Sequence, residues 1–311
     1  MAETFVISDK NYAGEAAGQF IIKAITGADT LNAGVAYLKS GIKKKYTIPR
    51  MTGTYTDIIQ DYSPTPTPQG SLTITGQTLT PAIYQVYSEF NPQEWKDHWQ
   101  AVNLNPNLLD RTLPMEVQSM LVQEYNKFHA KYLNRLFWMG DTTSSTNYLK
   151  YIDGWIKRIS TNADTIPVGS PTTLSASNIF AELLKGYVLI PEALRYDPDM
   201  VVIMNYKTRD FFIDAQIAQT YKGVDITQQG KETFKGIPVV KVADFPDNTY
   251  IMIKGTPGLN SNLWVGMNEF TDESNIKLAM LQANSDMMFI RMLNAVDVNC
   301  GFFDEIVYYG S

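Results

Sequence analysis

The chain has 311 residues, 44% of them hydrophobic and 19% charged, which is enough apolar side chain for one large or two ordinary domains with cores of their own. Its formal net charge of -6 argues against a general nucleic-acid binder, whose affinity rests on neutralising phosphates with Lys and Arg. A lone cysteine, Cys300, excludes an intrachain disulfide framework and a Cys-rich zinc site.

No apolar run approaches the roughly 20 residues needed to span a bilayer. The opening "MAETFVISDK" has no basic segment followed by an apolar one, so it does not read as a signal peptide. The expectation is a soluble protein made inside the cell. Residues 1–40 are rich in small side chains. Gly14, Gly18, Gly27 and Gly34 leave room for at most a short helix around Glu15 to Ile25, and the segment reads as an arm that lies on something else.

From about Lys44 to Phe90 the texture is β. "KKYTIPRMTGTYTDIIQDY" and "SLTITGQTLTPAIYQVYSEF" are rich in Thr and Tyr, with alternation at Tyr46/Ile48 and Leu72/Ile74. Arms of some 17 to 20 residues, at roughly 3.3 Å each, would project ~50 Å. The joining stretch "DYSPTPTPQGS" sets Pro64, Pro66 and Pro68 on alternate residues, each without a backbone donor. A two-stranded hairpin is marginal alone in water, so the expectation is that other copies of the chain cover it. The basic run Lys43, Lys44, Lys45 at its base reads as a solvated strand entrance or as a charge contact with a partner.

The strongest helical signal follows. Thr112 suits an N-cap, Pro114 the first turn, and Glu116 the positive end of a helix. Val117, Leu121, Tyr125, Phe128, Tyr132 and Leu136 then recur at spacings of 4, 4, 3, 4 and 4, widened by Met120, Leu133 and Phe137. The helix is predicted to stop at "MGD", with Gly140 past its end. "STNADTIPVGSPTTLSASN" reads as a domain boundary. Beyond it helix and strand alternate. "SASNIFAELLKGYVLIPEAL" and "YKTRDFFIDAQIAQT" are predicted helices; "DMVVIMN", "KGIPVVKV" and "YIMIKG" are predicted strands, the last two joined by "DFPDNT". The remainder, "LWVGMN", "IKLAMLQAN", "MMFIRMLNAVDVNCGFF" and "EIVYYG", is nearly all strand, and no internal repeat is evident.

Chemistry-bearing motifs are missing. There is no phosphate-binding GxxxxGK[ST], no GxGxxG after a strand and no HExxH. His129 sits just off the apolar stripe of the long helix and reads as packing or partly exposed. His98, between Trp95 and Trp99 and near Glu94 and Asp97, is a weak ligand set and reads as an aromatic docking turn. Asp197 and Asp199 flank Pro198 and read as a turn rather than a cation site; Asp272 to Ser274 is likewise a turn. Cys300, in an apolar strand, reads as a small buried hydrophobe. No catalytic, cofactor-binding or metal-binding residues are assigned.

The order of elements carries more. A small-residue arm leads to a long hairpin, then to a long helix ending "LFWMGD". An α/β segment with "KGIPVVKVADFPDNTYIMI" follows, and the chain returns through strands to "RMLNAVDVNCGFFDEIVYYG". This order resembles the major capsid protein of tailed bacteriophages, the Hong Kong 97-type fold shared with encapsulin shells. The resemblance implies an α+β protein with an N-terminal arm (1–40) and an extended β-hairpin loop (41–92). It implies a peripheral domain (93–160 and 256–311) with a spine helix at 112–139, and an α/β axial domain (161–255). It also implies a structural, non-enzymatic subunit that assembles through pentamers and hexamers into an icosahedral or prolate shell around double-stranded DNA, built in the host bacterial cytoplasm. Lys43, Lys44, Lys45, Pro64, Pro66, Pro68, Trp95 and Trp99 are the expected assembly contacts. Portal, scaffold and decoration proteins are the other implied partners; packaged DNA would be touched only weakly, and no membrane is involved.

Two family features do not carry over. Some members begin with a long helical scaffolding segment that a protease removes, whereas here Met1 leads almost directly into the arm, which implies a separate scaffold or none. Others cross-link a loop lysine to an asparagine with help from a glutamate, and no such trio aligns here. The alternatives are an encapsulin shell, an enzyme using the α/β module at 161–255, and a tail or adhesin protein, which would be all-β with repeats.

Overall fold

A computed structural model describes residues 10–13, 28–54, 59–67, 71–91, 115–146, 148–218, 232–268, 275–282 and 287–310. In chain order the elements are β1 (Lys10–Ala13), α1 (Asp29–Asn32), β2 (Tyr37–Lys39), β3 (Tyr46–Thr47), β4 (Arg50–Thr54), β5 (Ser71–Thr75), β6 (Thr78–Leu79) and β7 (Ala82–Phe90). Then come α2 (Met115–Met139), α3 (Trp155–Thr161), β8 (Ile166–Pro167), α4 (Ile179–Leu189), β9 (Met200–Met204), α5 (Tyr206–Ala218), β10 (Thr233–Phe234), β11 (Ile237–Lys241) and β12 (Tyr250–Lys254). The last are β13 (Leu263–Met267), β14 (Asn275–Met280), β15 (Met288–Cys300) and β16 (Val307–Tyr309).

The long apolar run near the C-terminus becomes β15, the axis of the first sheet. Its neighbours are β14, β13 and β7, all antiparallel, with β1 beyond β14 and β2 beyond β13. Along β15 buried and less buried residues alternate from Met288 to Leu293, and every residue from Asn294 to Cys300 is buried. Alternation marks a strand covered on one face, and the unbroken run marks one covered on both.

The second sheet runs β10-β11-β9-β12-β16-β8. Its central strand β9, "MVVIM", is buried throughout and runs parallel to β11, as expected of an apolar run covered by helices. The rings of Phe180 on α4 and Phe212 on α5 meet edge to face at 5.4 Å. Tyr250 and Tyr309 stack at 4.6 Å on adjacent strands, and the Tyr250 hydroxyl donates to Glu182 O at 2.6 Å. A Cβ on Gly186 would stand 2.7 Å from that hydroxyl, so glycine lets α4 approach the strand. Residues 307–309, grouped on sequence with the strands of the first unit, hydrogen-bond in the second sheet to β12 and β8. Their short apolar run carries no mark of which sheet it joins.

Helix α2 follows the periodicity, but its buried face is rotated from the one expected. Val122, His129, Ala130, Leu133, Asn134, Leu136, Phe137 and Trp138 are buried, while Phe128 and Tyr132 are more than half exposed. Residues 112 and 114, the expected cap and first turn, lie outside the described residues. Trp138 is wedged between Trp155 of α3 and Phe245 beyond β11, each ring centroid 4.8 Å away, which places the helix end against both units. Helix α3 went unread on sequence because its seven residues are too short to show a period.

A buried polar knot fixes this joint. Asn134 Oδ1 accepts from the Thr30 backbone N–H at 3.0 Å and from its hydroxyl at 2.7 Å, while Asn134 Nδ2 donates to Ala243 O at 2.6 Å. Trp138 Nε1 donates to Thr30 Oγ1 at 2.7 Å. Removing Asn134 strands the two donors of the fully buried Thr30, at a cost of about 1–3 kcal/mol per group. Asn134→Ala is therefore expected to lower the unfolding free energy by about 3 kcal/mol, read by chemical denaturation of unassembled chain against Lys131→Ala on the exposed side of the same helix; an Asn134→Ala curve overlying that control would show the knot is dispensable.

Candidate functional site

The ribbon is the feature without a place in either sheet. Its paired arms run from Tyr46↔Leu79 and Thr47↔Thr78 to Arg50↔Thr75 and onward to Thr54↔Ser71. Arms spanning 46–54 and 71–79 reach roughly 30 Å at strand spacing, shorter than the ~50 Å expected. The difference is β7. Residues 82–90 leave the ribbon and pair along β15 from Ala82↔Val296 to Phe90↔Met288, with Tyr84 and Phe90 buried and Ile83, Tyr87 and Glu89 exposed. A free arm and a half-covered body strand share the same alternation, so the sequence pattern could not separate them.

The ribbon is firmly rooted. Ile42, Ile48, Leu79 and Trp264 form a small buried cluster, and Trp264 meets Tyr37 edge to face at 4.6 Å. A Cβ on Gly76 would stand 2.0 Å from Ile48 O, so the two arms can close only on a glycine. Arg50 Nη2 bonds Asp304 Oδ2 at 2.6 Å and its guanidinium lies 5.0 Å from the Phe302 ring centroid. Asn299 Nδ2 donates to Thr78 O at 2.8 Å. Asp297, 3% exposed, accepts from Thr80 N–H at 2.7 Å, from Arg158 Nη2 at 2.8 Å and from Val298 N–H at 2.9 Å. Burial raises the Asp297 pKa, and Arg158 and the backbone donors pull against it.

The tip is the opposite case. Residues 59–67 are exposed throughout, with Ile59 at 97% and Tyr62 at 96%. Isolated exposed apolar residues are ordinary; here two nearly naked ones sit close together at the end of the ribbon. Of the residues singled out on sequence, Lys43, Lys44 and Lys45 are exposed at the root, and Pro64 and Pro66 are exposed at the tip. Pro68, Trp95 and Trp99 lie outside the described residues, as do His98 and Asp272 to Ser274. The structure brings the lysines and the prolines to opposite ends of one ribbon. Arg50, Asp304, Arg158 and Asp297 were missed, because their pairing spans up to 254 positions and no local pattern announces it. A further exposed apolar stripe lies on α4, at Leu184 and Val188.

The remaining candidates are structural. Asp197 Oδ1 accepts the Asp199 N–H at 3.0 Å and its Oδ2 faces Lys254 Nζ at 3.0 Å, which makes a turn into β9. Cys300 is buried and burial pushes its thiol pKa up. Among the described residues no three His, Cys, Asp or Glu side chains gather as a metal site, and no helix is long and apolar enough to cross a membrane. His129 is buried rather than partly exposed; its Nε2 lies 2.6 Å from the Tyr84 hydroxyl. Asn294 Nδ2 donates to that hydroxyl at 3.2 Å, so the network assigns Tyr84 as donor to Nε2. The ring proton then sits on Nδ1, which has no partner among the described residues.

No family model and no curated protein matches the chain. Solved structures do. A chain of the capsid of an empty GTA particle superposes with a TM-score of 0.59 at 10% identity, covering 91% of this chain and 90% of that one. A chain of the satellite phage P4 procapsid, a structure that includes the size determination protein, gives 0.57 at 13% identity over 93% and 98%. One from the capsid of Myoviridae phage XM1 gives 0.56 at 12% identity over 99% and 96%. Likeness over nearly the whole length of both partners shows that the chain has the fold of phage capsid subunits. That fold is the mixed α+β Hong Kong 97 type.

Burial lowers the His129 pKa from 6.5 to about 4. An unfolded imidazole takes its proton near pH 6.5 while the folded one stays neutral, so stability is lost as pH falls from 6.5 through 4. Over that window the loss is on the order of 3 kcal/mol. Denaturant midpoints against pH are expected to show it in the wild type and not in His129→Gln; parallel pH profiles for the two would refute it.

Proposed function

We propose that the chain is the structural subunit of a tailed-phage head. Copies associate through pentamers and hexamers into a closed icosahedral or prolate shell around double-stranded DNA, assembled in the bacterial cytoplasm. The observation that carries this reading is the ribbon: a root tied by buried and ion-paired contacts holds out a tip whose Ile59 and Tyr62 no part of the described chain covers. The likeness to capsid chains over almost the full length supports it.

The mechanism is assembly rather than turnover. Each subunit makes modest contacts with several neighbours, and closure sums them. In this reading residues 1–40 are an arm and the ribbon lies on an adjacent subunit. The first sheet with α2 forms the peripheral domain, and the second sheet with α4 and α5 forms the axial domain facing the capsomer centre. Portal, scaffold and decoration proteins are the further partners. A net charge of -6 suits a wall along which packaged DNA slides rather than binds.

The test is negative-stain microscopy of the overexpressed chain beside a variant lacking residues 63–70. Spheres, tubes or capsomer rings are expected from the wild type, and soluble subunits that fail to close from the deletion. A stable small oligomer from the wild type, or normal particles from the deletion, would contradict the reading.

A further inference from the structure

The second arm of the ribbon joins the first sheet through two residues, Thr80 and Pro81, which stand between β6 and β7. Proline has no N–H, so the Thr80 N–H is the one backbone donor of this joint. It is spent on a side chain rather than on a strand: Asp297 Oδ2 accepts it at 2.7 Å, from 217 positions further along the chain. The neighbouring ties differ in kind. Thr78 O accepts from Asn299 Nδ2 at 2.8 Å, and Gln77 O accepts from the Ile48 N–H at 2.7 Å. None of those groups titrates. The joint's own donor rests on a carboxylate.

The two oxygens of that carboxylate are unequally occupied. Oδ1 accepts from Arg158 Nη2 and from the Val298 N–H, whereas among the described residues Oδ2 accepts from Thr80 alone. An added proton goes to the oxygen with fewer donors, which is Oδ2, and turns the acceptor of the Thr80 N–H into a donor. Oδ1 keeps both of its partners. The surroundings favour that proton. Burial, more than anything else, raises the Asp297 pKa above the ordinary 3.8; Asp153 adds to the rise, while Arg158 and the two backbone donors oppose it. Arg158 of α3 and Asp153 just ahead of that helix are the charges that face the carboxylate. The strand β13, paired with β15 at this point, and residues 78–82 have no titratable side chain. Because the folded pKa is the higher one, the folded chain takes up this proton before the unfolded chain does, and falling pH adds stability at this group. The bond to Thr80 is therefore lost without unfolding.

We propose that Asp297 is a proton-operated latch on the ribbon: the ionised carboxylate fixes the Thr80–Pro81 joint, and the neutral acid releases it while Arg158 and Val298 stay in place. In the released state the second arm keeps its ties at Gln77 and Thr78 but gains freedom about the joint to β7. The angle between ribbon and first sheet then becomes adjustable as acidity rises, a local change of charge with a distant readout. The latch belongs to the single subunit. Its consequence, that pH sets the angle at which a subunit carries its ribbon into a shell, rests on the shell reading.

Amide hydrogen exchange in the unassembled chain, read by NMR from about pH 7 to about pH 4, tests it. Dividing the protection of the Thr80 amide by that of Val298 cancels the general effect of pH on exchange. It also cancels any global loss of stability, including the one that comes from His129. In the wild type the ratio is expected to fall roughly tenfold, as befits the loss of a hydrogen bond to a charged group, with a midpoint above 3.8. Asp297→Asn has no proton to gain at this position, and its ratio is expected to stay constant. Arg158→Gln removes the charge that favours the ionised form, and its midpoint is expected at higher pH than the wild type's. A flat wild-type ratio would overturn the proposal, and so would an equal fall in Asp297→Asn. If Asp297→Asn does not fold, the midpoint of Arg158→Gln decides, and one that stays put or moves down would also overturn it. Unassembled chain suffices throughout, so failure of the latch is distinct from failure of the shell reading, which the microscopy decides.

Discussion

Everything distinctive about this molecule follows from a hairpin that the described residues leave uncovered at its tip. Two short arms, 46–54 and 71–79, can bury little against each other, and a pair of strands without a third layer is marginal in water. The exposed Ile59 and Tyr62 at its far end contribute nothing to the fold of one subunit. Such a ribbon persists only if its base is held by the body. The body therefore holds the ribbon's base firmly, while the described residues leave its far end exposed.

The base is held by groups that are costly to disturb. Asp297 is buried with three donors around its carboxylate, and a buried charge deprived of a partner destabilises far more than a surface pair stabilises. Its donors come from the end of the ribbon's second arm, from α3 and from β15 itself. The direction in which the ribbon leaves the body is thus set by the same residues that complete the first sheet. Arg50, on the first arm, adds a more exposed tie to Asp304, just ahead of the strand that enters the second sheet. Both sheets therefore have a hold on the ribbon's angle.

Helix α2 plays the corresponding part between the sheets. Its apolar end, Phe137 and Trp138, is completely buried, and the Asn134–Thr30–Ala243 knot ties it to the N-terminal region and to the turn after β11. Earlier in the helix, Phe128 and Tyr132 look outward beside β7. One helix thus serves two needs: a closed joint at its C-terminal end and an open aromatic wall in its middle. The periodicity of apolar residues is wide enough for both, which is why it exceeds the stripe that one core can use.

Local chemistry was enough to read the element types: the long helix from its 3.6-residue period, β9, β11 and β12 from their apolar runs, the turn at Asp197 from Asp and Pro, and the hairpin tip from its prolines. The order of those elements was enough to suggest the fold that the structural likenesses bear out. Three-dimensional packing alone decided the rest. Whether Phe128 faces a core or a groove depends on what lies opposite, and a helical period is blind to that. Whether residues 82–90 extend the ribbon or join β15, and which sheet residues 307–309 enter, depends on pairing with strands far along the chain. Asp297 and Arg158 lie 139 positions apart and become one site only when the sheet closes. Sequence periodicity reports the environment of one element at a time, whereas partners, edges and buried charge pairs are properties of two.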